Sequence, residues 1–253
     1  MQDQLDQIAD ALRQAHRVIV FTGAGISTGS GIPDFRGPQG VWKKRKPVLF
    51  QEFLSSDESR REYWDYKLEG FEAFCLAQPN AAHESLVKLE RSGRLLGLVT
   101  QNVDGLHSRA GTSDEKLVEI HGTNRKVTCL DCGLEADIEA AYASFEETRQ
   151  PPTCSHCSGW LKPATISFGQ QVSDQDLARV QEWAELADFV IALGSTLSVA
   201  PISLYPVLAA KSGEAPYLII NQGSTAHDAL ADFRLDGDLG ALVPELITLV
   251  LKG

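Results

Sequence analysis

Four of the five cysteines fall into two pairs, Cys129-x2-Cys132 and Cys154-x2-Cys157, with twenty-one residues between them. Each pair can form a tight knuckle, thiolates suit tetrahedral Zn2+, and four sulfurs leave no coordination position for water. The spacing therefore predicts one structural zinc per chain. A redox reading needs one pair beside a thioredoxin-like unit and leaves the second pair unexplained. His156, between two cysteines, is expected to be a bystander. Cys75 stands alone and is expected to pack.

A second concentration of chemistry lies at the ends of apolar runs. "VIVF" (18–21) leads into Thr22-Gly23-Ala24-Gly25, and "LLGLV" (95–99) into Thr100-Gln101-Asn102-Val103-Asp104. "FVIAL" (189–193) leads into Gly194-Ser195-Thr196, and "YLII" (217–220) into Asn221-Gln222. The glycines after "VIVF" invite a phosphate, since backbone N–H groups at such a turn can approach a pyrophosphate. The dinucleotide fingerprint nevertheless fails: its third glycine position holds Thr28, and no acidic strand end follows at the required distance. A P-loop fails too, for want of Gly-Lys-Ser/Thr. Glycine spacing alone thus gives an unidentified nucleotide site with Asp34 and Arg36 beside it.

These residues need elements to hold them. Short apolar runs at 18–21, 95–99, 164–168, 189–193 and 217–220 read as buried parallel strands. Leu5, Ile8, Ala9 and Leu12 follow helical spacing, Asn80 can cap a helix running to about Arg91, and Ser173 can cap the next. A last helix is expected from about Leu242 to Leu251. Such alternation specifies an α/β fold, a Rossmann-like parallel sheet with helices on both faces, whose strand carboxyl ends line one crevice. Residues 38–78, with "KKRKP" and a predicted long helix, and 126–163, with the cysteines, break the rhythm. Both read as insertions that build a small zinc-binding domain. The expected division is 1–38, 79–125 and 164–253 for the Rossmann-like NAD-binding domain, 39–78 for a helical cofactor-loop insertion, and 126–163 for the zinc module.

The 253 residues carry a net charge of −11, which argues against nucleic-acid binding and suits a soluble enzyme acting on a basic peptide. No apolar run approaches the roughly 20 residues of a membrane span, and the first residues lack the order of a signal peptide. A cytoplasmic monomer is expected.

The successive segments "GAGISTGSGIPDFRG" (23–37), "TQNVDGLHSRAG" (100–111), "EIHG" (119–122), "SFG" (167–169) and "LGSTLSVAP" (193–201) resemble the ordered motifs of the sirtuins, NAD-dependent protein lysine deacylases. The paired cysteines fall between the third and fourth. The resemblance runs from about Ile19 to Pro244. It implies a reaction that consumes NAD, moving an acyl group from lysine to ribose and releasing nicotinamide and O-acyl-ADP-ribose. By this resemblance His121 is the general base, a task suited to a side chain that titrates near neutral pH. Asn102 orients the ribose and a water, and Asp104 holds the nicotinamide-side loop or the amide. Gly23, Ala24, Gly25, Ser27, Gln101, Gly194, Ser195 and Thr196 belong to the NAD site, with Asn221 at the adenine ribose and Leu239 beside adenine. Asp34 fixes its loop, Arg36 meets phosphate or ribose oxygens, and Phe35 shields the reactive ribose. His107 is expected to anchor its loop, while His16, His83 and His227 are structural.

Sirtuins that remove acidic acyl groups carry a Tyr-x-x-Arg pair. Here the matching stretch is "YWDY", Tyr63 to Tyr66, so that arginine is absent and an uncharged acyl group is expected. Gln170 and the order "GST" depart mildly from the family pattern. The leading reading is an NAD-dependent protein lysine deacetylase, classed with transferases or hydrolases, acting on an acyl-lysine peptide. A protein mono-ADP-ribosyltransferase and a catalytically silent NAD sensor or zinc adaptor are the alternatives.

Overall fold

Residues 2–35, 40–41 and 45–252 are described in a computed structural model of the chain. The amino-terminal helix α1 (Gln2–Gln14) leads to strand β1 (Val18–Thr22), then to three short helices, α2 (Phe50–Ser55), α3 (Asp57–Glu69) and α4 (Phe71–Leu76). Next come α5 (Ala81–Arg91), β2 (Leu95–Thr100), α6 (Leu106–Ala110), β3 (Leu117–Glu119), β4 (Gly122–Cys129), β5 (Glu135–Asp137) and α7 (Ile138–Thr148). The chain continues through β6 (Leu161–Thr165), α8 (Asp174–Leu186), β7 (Phe189–Leu193), α9 (Leu204–Ser212), β8 (Tyr217–Ile220), β9 (Phe233–Leu235) and α10 (Leu239–Lys252).

Six strands form one parallel sheet in the order β3-β2-β1-β7-β8-β9. β1 and β7 are buried at every position, as central strands covered on both faces must be. Alternate residues serve opposite faces. Val18 and Val20 pack with α1, α5 and α10, whereas Ile19 and Phe21 pack with α8 and α9. Leu5, Ile8, Ala9 and Leu12 are all buried, as their spacing predicts. The two expected caps are present: Asn80 accepts from Ala82 N–H and Ser173 from Asp176 N–H. α10 starts at Leu239, earlier than the expected Leu242.

Three expectations need correction. The run "ATISF" does not join the parallel sheet; its first residues end β6, which pairs antiparallel with β4 in a separate sheet of order β5-β4-β6. An apolar run specifies burial but not which sheet buries it. The single long helix after "KKRKP" is three helices, because extended Ser56 caps α3 through Ser59 N–H and Gly70 ends it. Cys75 is exposed on α4 rather than packed.

The two insertions share one core. Phe53, Tyr63 and Trp64 from the helices pack with Val127, Ile138, Tyr142 and Phe145 from the small sheet and α7. Tyr142 stacks on Phe71 with centroids 3.8 Å apart, and Trp64 meets it edge-on at 5.6 Å. Among the described residues no helix is long and apolar enough to cross a membrane.

Candidate active site

Between the carboxyl ends of the parallel strands and the small domain lies a cleft of roughly 1280 Å3. Ligand pockets commonly hold about 300–1000 Å3, so this one has room for a dinucleotide and a peptide side chain together. Every strand end singled out in the sequence reaches it: Gly23 and Gly25 after β1, Gln101 to Asp104 after β2, Gly194 to Thr196 after β7, and Asn221 after β8. Leu239, at the start of α10, closes the same end, and Asp34 and Phe35 lie on its rim. Arg36 lies outside the described residues, as do Trp42, Lys43 and Lys44 of the following loop.

The glycines after β1 have a role that spacing did not reveal. Gly23 N–H donates to Leu193 O at 3.0 Å and Gly25 N–H to Gly194 O at 2.8 Å, so neither amide is left for a phosphate. A Cβ on Gly25 would sit 2.7 Å from Gly194 Cα, and Gly194 itself has a φ of 62°. Close approach of two strand-end loops is what demands glycine here. Among the described residues the Ala24 N–H, between them, meets no acceptor, which makes it the amide of this turn that a ligand can use.

Behind that turn is a connected polar network. The buried Ser27 hydroxyl donates to Asp104 Oδ2 at 2.7 Å and accepts from Asn102 Nδ2 at 3.1 Å. Asn102 Nδ2 also donates to Gly23 O at 3.1 Å. Both amide hydrogens are thus committed to the protein, and what Asn102 offers the cleft is its carbonyl oxygen. Asp104 accepts from Leu106 N–H through Oδ1, while its backbone carbonyl accepts two bonds from Arg125. Its carboxylate is spent on tying one strand-end loop to another. His107 anchors the same loop through Thr22 Oγ1 at 2.9 Å. Burial holds His107 well below the usual histidine range and His83 at about 4, so both are neutral at pH 7.

His121 stands just past β3. Its Nδ1 lies 3.0 Å from Gln101 O. A carbonyl can only accept, so Nδ1 carries a proton, and in the neutral ring Nε2 is then the basic nitrogen. Gln101 reaches on through Nε2 to Ser195 Oγ at 3.1 Å, joining the ends of β2 and β7. Two residues before His121, burial raises Glu119 to about 7, with Asp104 adding repulsion and Arg125 opposing. Asn221 Nδ2 donates to the carbonyls of Gln222 and Gly223, which turns its oxygen toward other partners. Thr196 Oγ1 pairs with Ser198 Oγ at 2.9 Å.

The four cysteine Sγ atoms lie within 4.8 Å of one another. Cys129 and Cys157 sulfurs are 3.4 Å apart, and Cys132 and Cys154 sulfurs 3.9 Å. These distances are too long for a disulfide of about 2.05 Å. They match the roughly 3.8 Å between sulfurs of a tetrahedron with Zn–S near 2.3 Å. The donor set fits a structural zinc.

Sequence reasoning missed Arg125, whose hold on the Asp104 carbonyl has no sequence signal. It also missed Lys67, which looks like any helix-surface lysine. Lys67 Nζ donates to Asn124 Oδ1 at 2.8 Å inside the cleft, and desolvation brings it down to about 8.

With this geometry in place, comparison with known proteins gives a consistent answer. The Sir2 family model matches residues 23–201. An NAD-dependent protein deacetylase of Haloarcula marismortui is 39% identical over 249 residues, covering 97% of this chain and 94% of its own. One from Rhodopseudomonas palustris is 36% identical over 236 residues, covering 93% of each. A Sir2 structure with a deacetylated peptide and 3′-O-acetyl-ADP-ribose superposes with a TM-score of 0.88 at 32% identity, covering 98% of each chain. Another, bound to a propionylated peptide, gives 0.87 at 29% identity over 97% of this chain and 98% of its own. The chain belongs to the Sir2 family.

Proposed function

We propose that the protein is an NAD-dependent protein lysine deacetylase, releasing nicotinamide, O-acetyl-ADP-ribose and free lysine from an acetyl-lysine peptide. The Sir2 relatives named as deacetylases, similar over nearly the whole chain, support the activity. The observation that carries the residue assignment is the His121–Gln101 bond, because it fixes a proton on Nδ1 and so makes Nε2 the basic nitrogen of the neutral ring.

Bound NAD supplies an electrophilic ribose carbon with nicotinamide as its leaving group. In our reading His121 Nε2 takes the proton from a ribose hydroxyl as the acyl group passes to that oxygen. The Asn102 carbonyl accepts from a ribose hydroxyl or a water, held in place by the two donors it has committed elsewhere. Asp104 positions this loop through Ser27 and Leu106. Ala24, Gly194, Ser195 and Thr196 meet phosphate oxygens, Asn221 and Leu239 the adenosine end, and Phe35 keeps water from the reacting carbon. The NAD-binding unit is assigned to 1–38, 79–125 and 164–253, with 39–78 and 126–163 as insertions. Reduced thiolates at a zinc site suit a cytoplasmic location.

Incubation with NAD and an acetyl-lysine peptide, followed by mass spectrometry, tests this. Nicotinamide and O-acetyl-ADP-ribose in equal amounts are expected. An ADP-ribosylated protein without deacetylation would assign the transferase activity instead, and no turnover would leave only a sensor or adaptor.

A further inference from the structure

The loop that follows β2 is gripped from both sides of the cleft. On the side of the parallel sheet, Gln101 N–H donates to Thr22 O at 2.9 Å, while the Asn102 and Asp104 side chains reach Gly23 and Ser27. On the other side, two consecutive residues of β4 hold two consecutive carbonyls. Asn124 N–H donates to Val103 O at 2.8 Å. The Arg125 guanidinium donates to Asp104 O from Nε at 3.2 Å and from Nη2 at 2.9 Å. β4 belongs to the small sheet, so Asp104 has its carboxylate tied to a loop of one sheet and its carbonyl to a strand of the other.

The surroundings of Arg125 keep its donors on that carbonyl. The Phe74 ring of α4 lies against the guanidinium, its centroid 5.3 Å from the central carbon. Among the described residues no carboxylate stands at ion-pair distance to draw the head away. Gly105 leaves the room: a Cβ there would lie 2.5 Å from Arg125 Nε. Asn102, Asp104 and Phe74 line the cleft, whereas Arg125 does not.

The Asp104 carbonyl belongs to the peptide plane that Asp104 shares with Gly105. Gly105 has a φ of 68°, and a glycine adopts other backbone angles readily. Local preference therefore leaves this plane free to turn, and the guanidinium is what fixes it. A turn would carry the Asp104 carboxylate off the Ser27 hydroxyl and the Leu106 N–H. Ser27 is in turn one of the two acceptors that hold the Asn102 amide.

We propose that Arg125 is a positioning residue for the reaction: by fixing the Asp104 carbonyl from the small sheet, it holds the Asn102 oxygen at the reacting ribose. The inference rests on the deacetylase reading above. Arg125 makes no hydrogen bond to the strand ends after β1, β7 and β8, to which the phosphates and adenosine are assigned. Only the reacting end of the cofactor should feel its loss.

Arg125→Met keeps an apolar stem against Phe74 and removes the donors. Nicotinamide release is followed in a single turnover, with enzyme in excess over an acetyl-lysine peptide and NAD saturating. The rate is expected to fall by about tenfold to a hundredfold, the scale of a misplacement near 1 Å. The Kd for ADP, a probe of the phosphate and adenosine ends, should stay within about twofold of wild type by calorimetry. Arg125→Lys, which still offers the carbonyl a charged donor, should keep the rate within about threefold. A rate in Arg125→Met within about twofold of wild type overturns the proposal. Equal losses of rate and ADP affinity do so too, since they mark a general structural role, as does an Arg125→Lys as slow as Arg125→Met. An active wild type with an unaffected Arg125→Met sinks this inference and leaves the deacetylase reading standing; a silent wild type sinks both.

Discussion

The parallel sheet and the three-stranded sheet face each other across one cleft but are stabilised in different ways. The parallel sheet has covered strands, and its polar strand ends are satisfied by one another: Ser27 with Asp104, Asn102 with Gly23, Gln101 with Ser195. The small sheet has a fully exposed edge strand β5, a core that is largely aromatic, four clustered thiols and a buried lysine. Hydrogen bonds made before any ligand arrives fix catalytic geometry at no cost during turnover. The other side carries a four-thiol cluster fit to hold a metal and, among the described residues, two lysines with no carboxylate at ion-pair distance. The strand-end residues assigned above to the NAD site belong to the first kind of structure, and the thiol cluster to the second.

Removing the metal should break that comparison most severely. A structural zinc held by four thiolates contributes on the order of 10 kcal/mol to the module it closes. Cys129→Ser is expected to lose zinc by metal analysis, with the small domain unfolding while the helical content of the large one largely survives. A zinc-free variant that is folded throughout and active would refute this division.

His121→Ala addresses the opposite side. Loss of a general base costs roughly 10²–10⁴-fold, or about 3–5 kcal/mol of barrier. Deacetylation should fall by that factor with NAD binding retained, and near-normal turnover would remove His121 from the role.

Gly25→Ala is expected to act on stability and binding rather than on the chemical step. The new Cβ meets backbone atoms of Gly194, which cannot rotate away. Overpacking of this kind costs roughly 1–3 kcal/mol. A lower Tm and a higher KM for NAD should appear together; an unchanged Tm would mean that the two loops separate freely.

What could be read in the sequence follows the same divide. β1, β2, β7 and β8 were legible because strands buried on both faces are unbroken apolar runs, and their ends carried the site. The four-cysteine cluster was legible because metal ligands must recur at knuckle spacing. β9 was not, since "FRL" is three residues with an arginine at its centre. "ATISF" was misplaced because pairing partners are a long-range choice that a local pattern does not encode. The break at Ser56 was missed because helix-forming residues stand on both sides of it. Lys67 had no signal at all: its burial comes from Tyr63, Asn124 and the sheet packed beneath it.

The smallest effect concerns Lys162, and it sharpens the comparison by giving the small domain a pH dependence. Burial lowers this lysine from 10.5 to about 7, with Lys67 adding repulsion. A folded value below the unfolded one means that the unfolded chain binds more protons between those limits. Stability therefore rises with pH across that window, and below about pH 7 the full penalty is present. Lys162→Met removes the titrating group. Its carbonyl partners, Pro163 and Thr165, lose a donor at every pH, which shifts the variant's stability by a constant without changing the slope. The Tm of Lys162→Met relative to wild type should thus be highest near pH 6 and fall steadily toward pH 9. Thermal melts of the zinc-bound proteins at several pH values read this directly. A difference that stays flat with pH would mean that Lys162 remains charged in the folded protein, and that an anion already compensates this side of the cleft.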